Sequence, residues 1–446
     1  MDGQTMPSRV SFGEMVRTFA RIGLLSFGGP AGQIALMHRV LVDEKRWIGE
    51  GRFLHALNYC MLLPGPEAQQ LATYMGWMLH RTPGAVAAGL LFILPGLLVM
   101  LGLSTAYMLF HETAWLTTVF FGLKAAVLAI VVEALLRIAG RALRTGPMAA
   151  VALAAFLALF LLQVPFPLVV AAAGLGGYLA ARACPRLPAS VPTPSAAPQA
   201  VDALPAVRPT WRRALGVIAA WSAVWASLPL LLVALFGWDS VYRPIATFFS
   251  QMAVVTFGGA YAVLSYVAQE AVETYGWLRP GEMLDGLALA ETTPGPLILV
   301  LTHVGFVAGF REAAGVGPLA GGLIGGVLAA WVTFAPCFLW ILLGAPHVER
   351  LLGNRALSFA LGAVTAAVVG VMLNLALWFA LHVLFAAHRT VEAGPLRLEL
   401  PDPASLDPAA LALTAAAMFA VLRLKWGVVP TLAACAAAGV LLRWPG

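Results

Sequence analysis

Charged residues are scarce in this sequence. Asp, Glu, Lys and Arg together make up 11% of its 446 residues, and hydrophobic residues make up 61%, whereas soluble domains carry roughly 25% charged residues. A water-soluble fold of this length could not cover its surface with so few charges. The composition therefore excludes a soluble globular enzyme and a disordered chain, and it predicts a polytopic, all-α membrane protein.

Positive charge is only slightly in excess. The net charge is +6, from 27 Lys and Arg against 21 Asp and Glu. This small excess suits the cytoplasmic loops of a membrane protein, and no run of Lys and Arg is dense enough to predict binding to a nucleic acid. We therefore expect the lipid bilayer as a partner and no nucleic acid.

Motifs for metal binding, cofactor binding and catalysis are missing. The four cysteines, Cys60, Cys184, Cys337 and Cys435, show no CxxC or Cys/His spacing, so we expect buried thiols and no metal site. No HExxH, GxSxG or GxxxxGK[ST] pattern occurs, which predicts no cofactor, no enzyme activity and no direct use of ATP. The N-terminus lacks the features of a cleaved signal peptide, so we expect the first helix to be retained.

The sequence does contain a nearly unbroken series of apolar segments. Thirteen of them lie at 12–42, 53–80, 85–110, 115–138, 147–162, 166–182, 213–236, 244–272, 282–310, 316–344, 354–385, 409–424 and 427–443. Residues 183–212 interrupt the series with seven prolines and many alanines, which is typical of a flexible linker. Neither this linker nor the polar stretch at about 386–408 is long enough for a soluble catalytic domain.

The chain repeats itself at a distance of 230 residues. Ser-Phe-Gly-Gly at 26–29 recurs as Thr-Phe-Gly-Gly at 256–259, and Pro-Gly-Pro at 64–66 recurs at 294–296. Trp47 and Trp277 share the same offset. Two rare motifs and a tryptophan at one offset predict two homologous halves of six hydrophobic segments each, joined by one extra span.

The extra span predicts how the two halves are arranged. Six segments return the chain to its starting side, and the single segment at 213–236 then crosses once more, so the second half should be inverted. Inverted repeats that flank a midplane site are typical of secondary transporters. The predicted organisation is a first repeat at 1–182, a cytoplasmic linker at 183–212, a connecting transmembrane helix at 213–236 and an inverted repeat at 237–446.

Basic loops predict the orientation in the membrane. Arg137, Arg141 and Arg144 share one loop, and five arginines lie between 182 and 213, so both regions and the N-terminus should be cytoplasmic. Loop 39–52 is basic and its counterpart at 270–282 is acidic. This contrast favours 12–42 and 53–80 as re-entrant hairpins over full broken spans, although acidic residues in the first loop leave both arrangements open.

Prolines and glycines should break the helices inside these segments. Proline lacks an N–H and clashes with the preceding turn, so one helix ends before it and another begins with it. New helices should start near Pro30, Pro66, Ala260 and Pro296. Their N-termini carry free N–H groups and partial positive charge, so four of them together predict an anion site. A simple helix kink is the alternative for any one motif, but matched motifs in both halves favour a site.

The candidate binding residues come from these two pairs of motifs. They are Ser26, Phe27, Gly28, Gly29, Pro30, Pro64, Gly65, Pro66, Thr256, Phe257, Gly258, Gly259, Thr292, Thr293, Pro294, Gly295 and Pro296. The glycines should let backbone N–H groups approach an oxyanion closely. The hydroxyls of the serine and the three threonines should add donors.

The motifs resemble those of the chromate ion transporter family. The resemblance rests on Ser-Phe-Gly-Gly-Pro at 26–30, the run Leu-Leu-Pro-Gly-Pro-Glu-Ala-Gln-Gln-Leu-Ala at 62–72, Thr-Phe-Gly-Gly-Ala-Tyr at 256–261 and Thr-Thr-Pro-Gly-Pro at 292–296. It covers about 12–440, in the two-domain form of that family. The resemblance implies export of chromate, with sulfate as a related anion, across the bacterial inner membrane, and hence chromate resistance.

Charged and polar groups within the apolar segments have two interpretations each. Lys124 lies mid-segment, where a charge costs about 2.5–3.5 kcal/mol on insertion scales. It either balances a bound dianion or pairs with a buried carboxylate such as Glu67 or Glu291. Each of these two carboxylates either has a structural role, which for Glu67 is to complement a helix dipole, or carries a coupled proton. Three further residues are either polar groups of the site or contacts between helices: Gln69, Gln70 and Tyr261.

The sequence favours a secondary transporter of a tetrahedral oxyanion, driven by the membrane potential, a proton gradient or both. An oxyanion channel and a sulfate transporter of the same architecture remain alternatives. The oligomeric state is open, with a homodimer as one arrangement.

Overall fold

The computed structural model describes residues 10–111, 113–183, 210–257, 260–347, 354–393 and 396–443. Most of the predicted linker, Cys184, and the candidate residues Gly258 and Gly259 lie outside the described residues. The other three cysteines are free and buried, which confirms that part of the prediction. The described chain is overwhelmingly helical.

The first half contains seven helices. They are α1 (Phe12–Leu25), α2 (Gly29–His38), α3 (Glu50–Cys60), α4 (Glu67–Phe110), α5 (Ala114–Ala142), α6 (Gly146–Phe160) and α7 (Phe166–Ala183), with a π-helical turn at Arg39–Glu44. The short helices α1 to α3 lie before the long ones because the two proline and glycine motifs interrupt the chain there.

A single long helix joins this half to the second. After α8 (Trp211–Phe236) come α9 (Tyr242–Val255), α10 (Ala260–Gln269), a π-helical turn at Glu270–Thr274, α11 (Pro280–Thr292), a 3₁₀ turn at Leu297–Leu299, α12 (Val300–Glu312), α13 (Pro318–Gly344), α14 (Arg355–Leu384), α15 (Pro408–Leu422) and α16 (Val428–Arg443). Further 3₁₀ turns lie at Ala345–His347 and Pro403–Ser405.

Among the described residues, six helices are long and apolar enough to cross a membrane. They are α4, α5, α7, α8, α13 and most of α14, and three shorter apolar helices are α6, α15 and α16. The predicted class of polytopic helical membrane protein is confirmed. The thirteen-segment layout with inverted repeats stays a prediction.

The all-α description needs one correction. β1 (His388–Ala393) and β2 (Leu396–Pro401) form an antiparallel hairpin in which His388 pairs with Pro401. The hairpin falls in the polar stretch at about 386–408, where no apolar periodicity predicted a helix. Two paired strands satisfy each other's backbone groups there.

The long helix α4 is bent in its first half. The backbone is not helical at His80 (φ −138°, ψ 29°) or at Arg81 (φ 54°, ψ −142°). Pro83 follows, and its ring lacks an N–H and crowds the carbonyl four residues earlier. At the offset of 230 residues, the bend corresponds to Phe310 and Arg311 at the end of α12.

The two halves interlock. α14 packs against α6 and α7 of the first half, and α15 and α16 pack against α5. Glycine allows the closest approaches, because a Cβ on Gly122 would collide with the carbonyl oxygen of Cys435, and one on Gly370 with that of Ala152. The halves therefore share one packed interior, and the broken helices lie within it.

Candidate anion site

Helices restart at each of the four predicted breaks. α2 begins at Gly29 with Pro30 in its first turn, and α4 begins at Glu67 with Pro66 at its N-cap. α10 begins at Ala260, and the 3₁₀ turn that follows Pro296 continues directly into α12. Fixed φ and the missing N–H make proline favourable at these first positions.

All four restarts line one small cavity. Its walls are formed by Pro30, Gln33, Pro66, Glu67, Ala68, Ala260, Pro296, Leu297 and Ile298, and its volume of about 10 Å³ in this conformation is room for about one water molecule. No Lys or Arg side chain is among these residues. Positive potential at the cavity therefore comes from the helix N-termini and their N–H groups.

Two hydrogen bonds join the motifs of one half to the motifs of the other. The N–H of Gly65 donates to the carbonyl of Thr256 at 2.7 Å, and the N–H of Gly295 donates to the carbonyl of Ser26 at 2.8 Å. The donors are 230 residues apart and so are the acceptors. Each Pro-Gly-Pro turn is thus hydrogen-bonded to the first helix break of the opposite half. In this conformation carbonyls occupy these two N–H groups, and the role of the two glycines in binding an anion stays a prediction.

The predicted hydroxyl donors are also occupied. Ser26 donates to the carbonyl of Ile22, Thr256 to that of Met252, Thr292 to that of Leu289 and Thr293 to that of Ala290. Ser, Thr and similar residues near a helix end commonly satisfy carbonyls of their own helix in this way. In this conformation they close the ends of α1, α9 and α11, and their role as donors to an anion stays a prediction.

Gly28 and Gly29 lie in left-handed backbone, with φ of 85° and 71°. Glycine adopts this conformation without the steric cost that a Cβ adds. An ideal Cβ on either residue would meet no atom within 4 Å, so open space lies beside the break. Phe27 is 40% exposed, and neither it nor Phe257 lines the cavity.

A glutamine that the sequence did not single out lies at the cavity. Gln33 is 1% exposed, and its Nε2 donates to the carbonyl of Gly295 at 2.5 Å and weakly to that of Ser26 at 3.5 Å. Its Oε1 is buried without a hydrogen-bond partner. A polar residue one turn after the Pro30 break was the available signal, and the corresponding residue of the second half is Val263.

The two predicted glutamines of α4 have structural contacts. Gln70 Nε2 donates to the carbonyl of Pro64 at 2.6 Å, which holds the first Pro-Gly-Pro turn. Gln69 Nε2 donates to Thr73 Oγ1 at 3.0 Å, one turn along the same helix. Both side chains are fully buried, and neither lines the cavity.

Glu67 is the ionisable side chain among the cavity residues. Within the described part of the chain it makes no ion pair. Two unit charges 4 Å apart interact by about 4 kcal/mol in a partly screened site, so an ionised Glu67 would repel a dianion at that distance by about twice as much. An ionised Glu67 and a dianion are therefore unfavourable in the cavity at the same time.

Comparison with known proteins agrees with these motifs. The family model described as "Chromate transporter" matches residues 13–178 and 243–440, which include both pairs of motifs. The chain belongs to the chromate transporter family.

Similar proteins cover most of the chain. A chromate transport protein of Pseudomonas aeruginosa is 34% identical over 371 residues, which are 83% of this chain and 81% of that protein. One of Cupriavidus metallidurans is 29% identical over 80% of each chain. A probable chromate transport protein of Synechococcus elongatus is 27% identical over 81% of this chain and 82% of its own. No solved structure matches the chain.

In this chromate transporter family member, Lys124 is part of an ion pair away from the cavity. Its Nζ lies 3.3 Å from Oδ1 of Asp285, whose side chain is 8% exposed, and Tyr107 donates to Oδ2 of the same carboxylate at 2.9 Å. The pairing interpretation is therefore correct, but the partner is neither Glu67 nor Glu291. Lys124 is not among the residues that line the cavity, and Asp285 was not identified from the sequence.

Two other predicted residues contact each other. Tyr261, in the first turn of α10, donates to Oε1 of Glu291 at 2.5 Å, and both are buried. The bond joins the start of α10 to the end of α11, just before the second Pro-Gly-Pro motif. It favours a structural role for this pair.

Proposed function

We propose that this protein is a secondary transporter that exports chromate from the cytoplasm across the inner membrane. The observation that carries the proposal is the convergence of four helix N-termini on one cavity between the halves. Discontinuous helices whose N-termini point at an anionic substrate near the bilayer midplane are a recurring arrangement in secondary transporters. Helix N–H groups suit any tetrahedral oxyanion, so sulfate is a second, more weakly bound substrate of the same site.

The membrane potential is a sufficient source of energy for export. Moving one elementary charge through 100 mV is worth about 2.3 kcal/mol, so a monoanion leaving a negative interior gains about that much and a dianion roughly twice as much. A proton gradient can add to this drive through Glu67, because it is the ionisable side chain that lines the cavity.

We further propose that the halves are inverted repeats and that they rock against each other. The reciprocal bonds of Gly65 to Thr256 and of Gly295 to Ser26 fit a two-fold relation between the halves. α8 is a single long helix between them, so it reverses the orientation of everything that follows. The N-terminus and the linker lie on the cytoplasmic side in this arrangement. Alternating access then requires one of the two reciprocal bonds to open at a time.

The test is flux of radiolabelled chromate in everted membrane vesicles with an imposed potential. Wild-type protein should accumulate chromate in a saturable way, without covalent change in the anion. Gly28→Ala should reduce the flux by roughly tenfold or more, because a Cβ costs about 1–2 kcal/mol in left-handed backbone and narrows the open space beside the break.

Gly102→Ala is the matched control. Gly102 lies within α4, and a Cβ there would also meet no atom within 4 Å, so its flux should equal that of the wild type. Equal flux in Gly28→Ala and Gly102→Ala would contradict the proposed site. Single-channel currents in planar bilayers would show that the protein is a channel and not a transporter.

A further inference from the structure

The cavity presents acceptors as well as donors. Gln33 uses its Nε2 on the Pro-Gly-Pro turn, which leaves Oε1 buried and without a partner, although the side chain is 1% exposed and lines the cavity. The Glu67 carboxylate lines the same cavity. A buried acceptor that finds no donor is costly to the protein, so the occupant of the cavity is expected to supply one.

A fully deprotonated oxyanion supplies no donor. Its four oxygen atoms accept hydrogen bonds from helix N–H groups, but none can donate to Gln33 Oε1. A singly protonated oxyanion keeps three oxygens for the N–H groups and offers one O–H to this acceptor. It also carries one negative charge less, which reduces the repulsion from Glu67.

We propose that the cavity selects oxyanions that carry a proton, with the O–H group donating to Gln33 Oε1. This rests on the proposed function of the cavity as the anion site. Chromate takes up a proton near neutral pH and phosphate carries one there, whereas sulfate does not. Gln33 is then the residue that determines specificity, and Glu67 reinforces it through charge. The second half has Val263 at the position that corresponds to Gln33. Valine has no hydrogen-bond acceptor in its side chain, so these two positions supply the site with one acceptor.

Competition in proteoliposomes tests the proposal without any substitution. Uptake of radiolabelled chromate is measured with unlabelled hydrogenphosphate or sulfate added at rising concentration. These two competitors can carry the same charge, so their difference isolates the O–H donor. Sulfate should compete roughly tenfold more weakly or worse, the range expected for one buried hydrogen bond. Chromate affinity should rise as the pH falls and the fraction of hydrogenchromate grows.

Two variants test whether Gln33 causes the preference for a protonated oxyanion. Gln33→Met removes the Oε1 acceptor at similar volume and also the Nε2 donor to the carbonyl of Gly295, so chromate uptake should fall, and sulfate and hydrogenphosphate should compete equally for the uptake that is left. Glu67→Gln keeps the acceptor and lowers the negative charge, so it should improve competition by both dianions and keep their order.

The outcomes separate the two proposals. Equal competition by sulfate and hydrogenphosphate in the wild type, together with saturable chromate uptake, would overturn the selectivity and keep the transport function. Absence of saturable uptake of any oxyanion would overturn both. If Gln33→Met does not fold, the wild-type competition and its pH dependence still decide the question.

Discussion

At the scale of single residues, charge balance in the interior depends on contacts between the halves. Lys124 comes from α5 and Tyr107 from α4, and both meet Asp285 of α11. A lone lysine in an apolar segment is costly, whereas a paired one also satisfies a buried carboxylate. The pair therefore holds α4 and α5 to α11.

Lys124→Met should destabilise the protein. Removing one partner of a buried ion pair costs about 3–5 kcal/mol, and we expect the lower end because the Lys124 side chain is 27% exposed. Thermal unfolding of the detergent-solubilised protein measures the loss.

The double variant Lys124→Met, Asp285→Asn is the control. It removes both charges and keeps an acceptor for Tyr107, so most of the lost stability should return. Its apparent affinity for chromate should stay within about threefold of the wild type. A much larger loss of affinity would mean that Lys124 acts on the anion after all.

At the scale of elements, glycines set the distance between helices. On α12 and α13, an added Cβ on Gly305 would touch the backbone of Gly325, and one on Gly309 would touch that of Gly321. Such small residues let helix backbones approach closely inside a membrane. The α12–α13 hairpin follows directly from the second Pro-Gly-Pro motif, so its packing supports the cavity.

Gly309→Ala should separate these two helices. The methyl group would collide with the carbonyl oxygen of Gly321, which is rigid backbone, and overpacking of this kind costs about 1–3 kcal/mol. The measurement is the unfolding temperature in detergent.

Gly317→Ala in the same hairpin is its control, because a Cβ there would meet no atom within 4 Å. Its unfolding temperature should stay close to that of the wild type. Equal temperatures for the two variants would show that α12 and α13 do not pack as described.

At the scale of the whole molecule, the proposed alternating access requires the interlocked halves to move as two bodies around a shared cavity. The hydrogen bonds that the N–H groups of Gly65 and Gly295 donate lie where the motifs of one half contact those of the other. The long helix α8 is mostly unburied, but one side of it packs against α13 and α9, and Trp331 of α13 donates to the carbonyl of Val224 at 2.9 Å.

Cysteine labelling tests the proposed inversion. Glu44 and Thr274 are exposed, lie 230 residues apart and end the two π-helical turns. Glu44→Cys should react with a membrane-impermeant maleimide from the cytoplasmic side only, and Thr274→Cys from the opposite side only. Labelling of both from one side would rule out inverted repeats.

The sequence by itself determined the membrane class, the family and the positions where helices restart. Scarce charge and long apolar segments dictate burial in lipid, and proline next to glycine, as in these motifs, favours the end of one helix and the start of the next. These effects are local along the chain. Pro30, Pro66 and Pro296 could therefore be placed at helix starts from the sequence alone.

Only the tertiary structure decided which hydrogen-bonding and charged groups already have a partner within the protein. The N–H groups of Gly65 and Gly295 bond to carbonyls of the opposite half, and Lys124 pairs with a residue far along the chain. Gln33 became a candidate because its amide contacts Gly295 and leaves Oε1 unpartnered. Each of these facts depends on distances between segments hundreds of residues apart, and residue type and spacing carry no information about such distances.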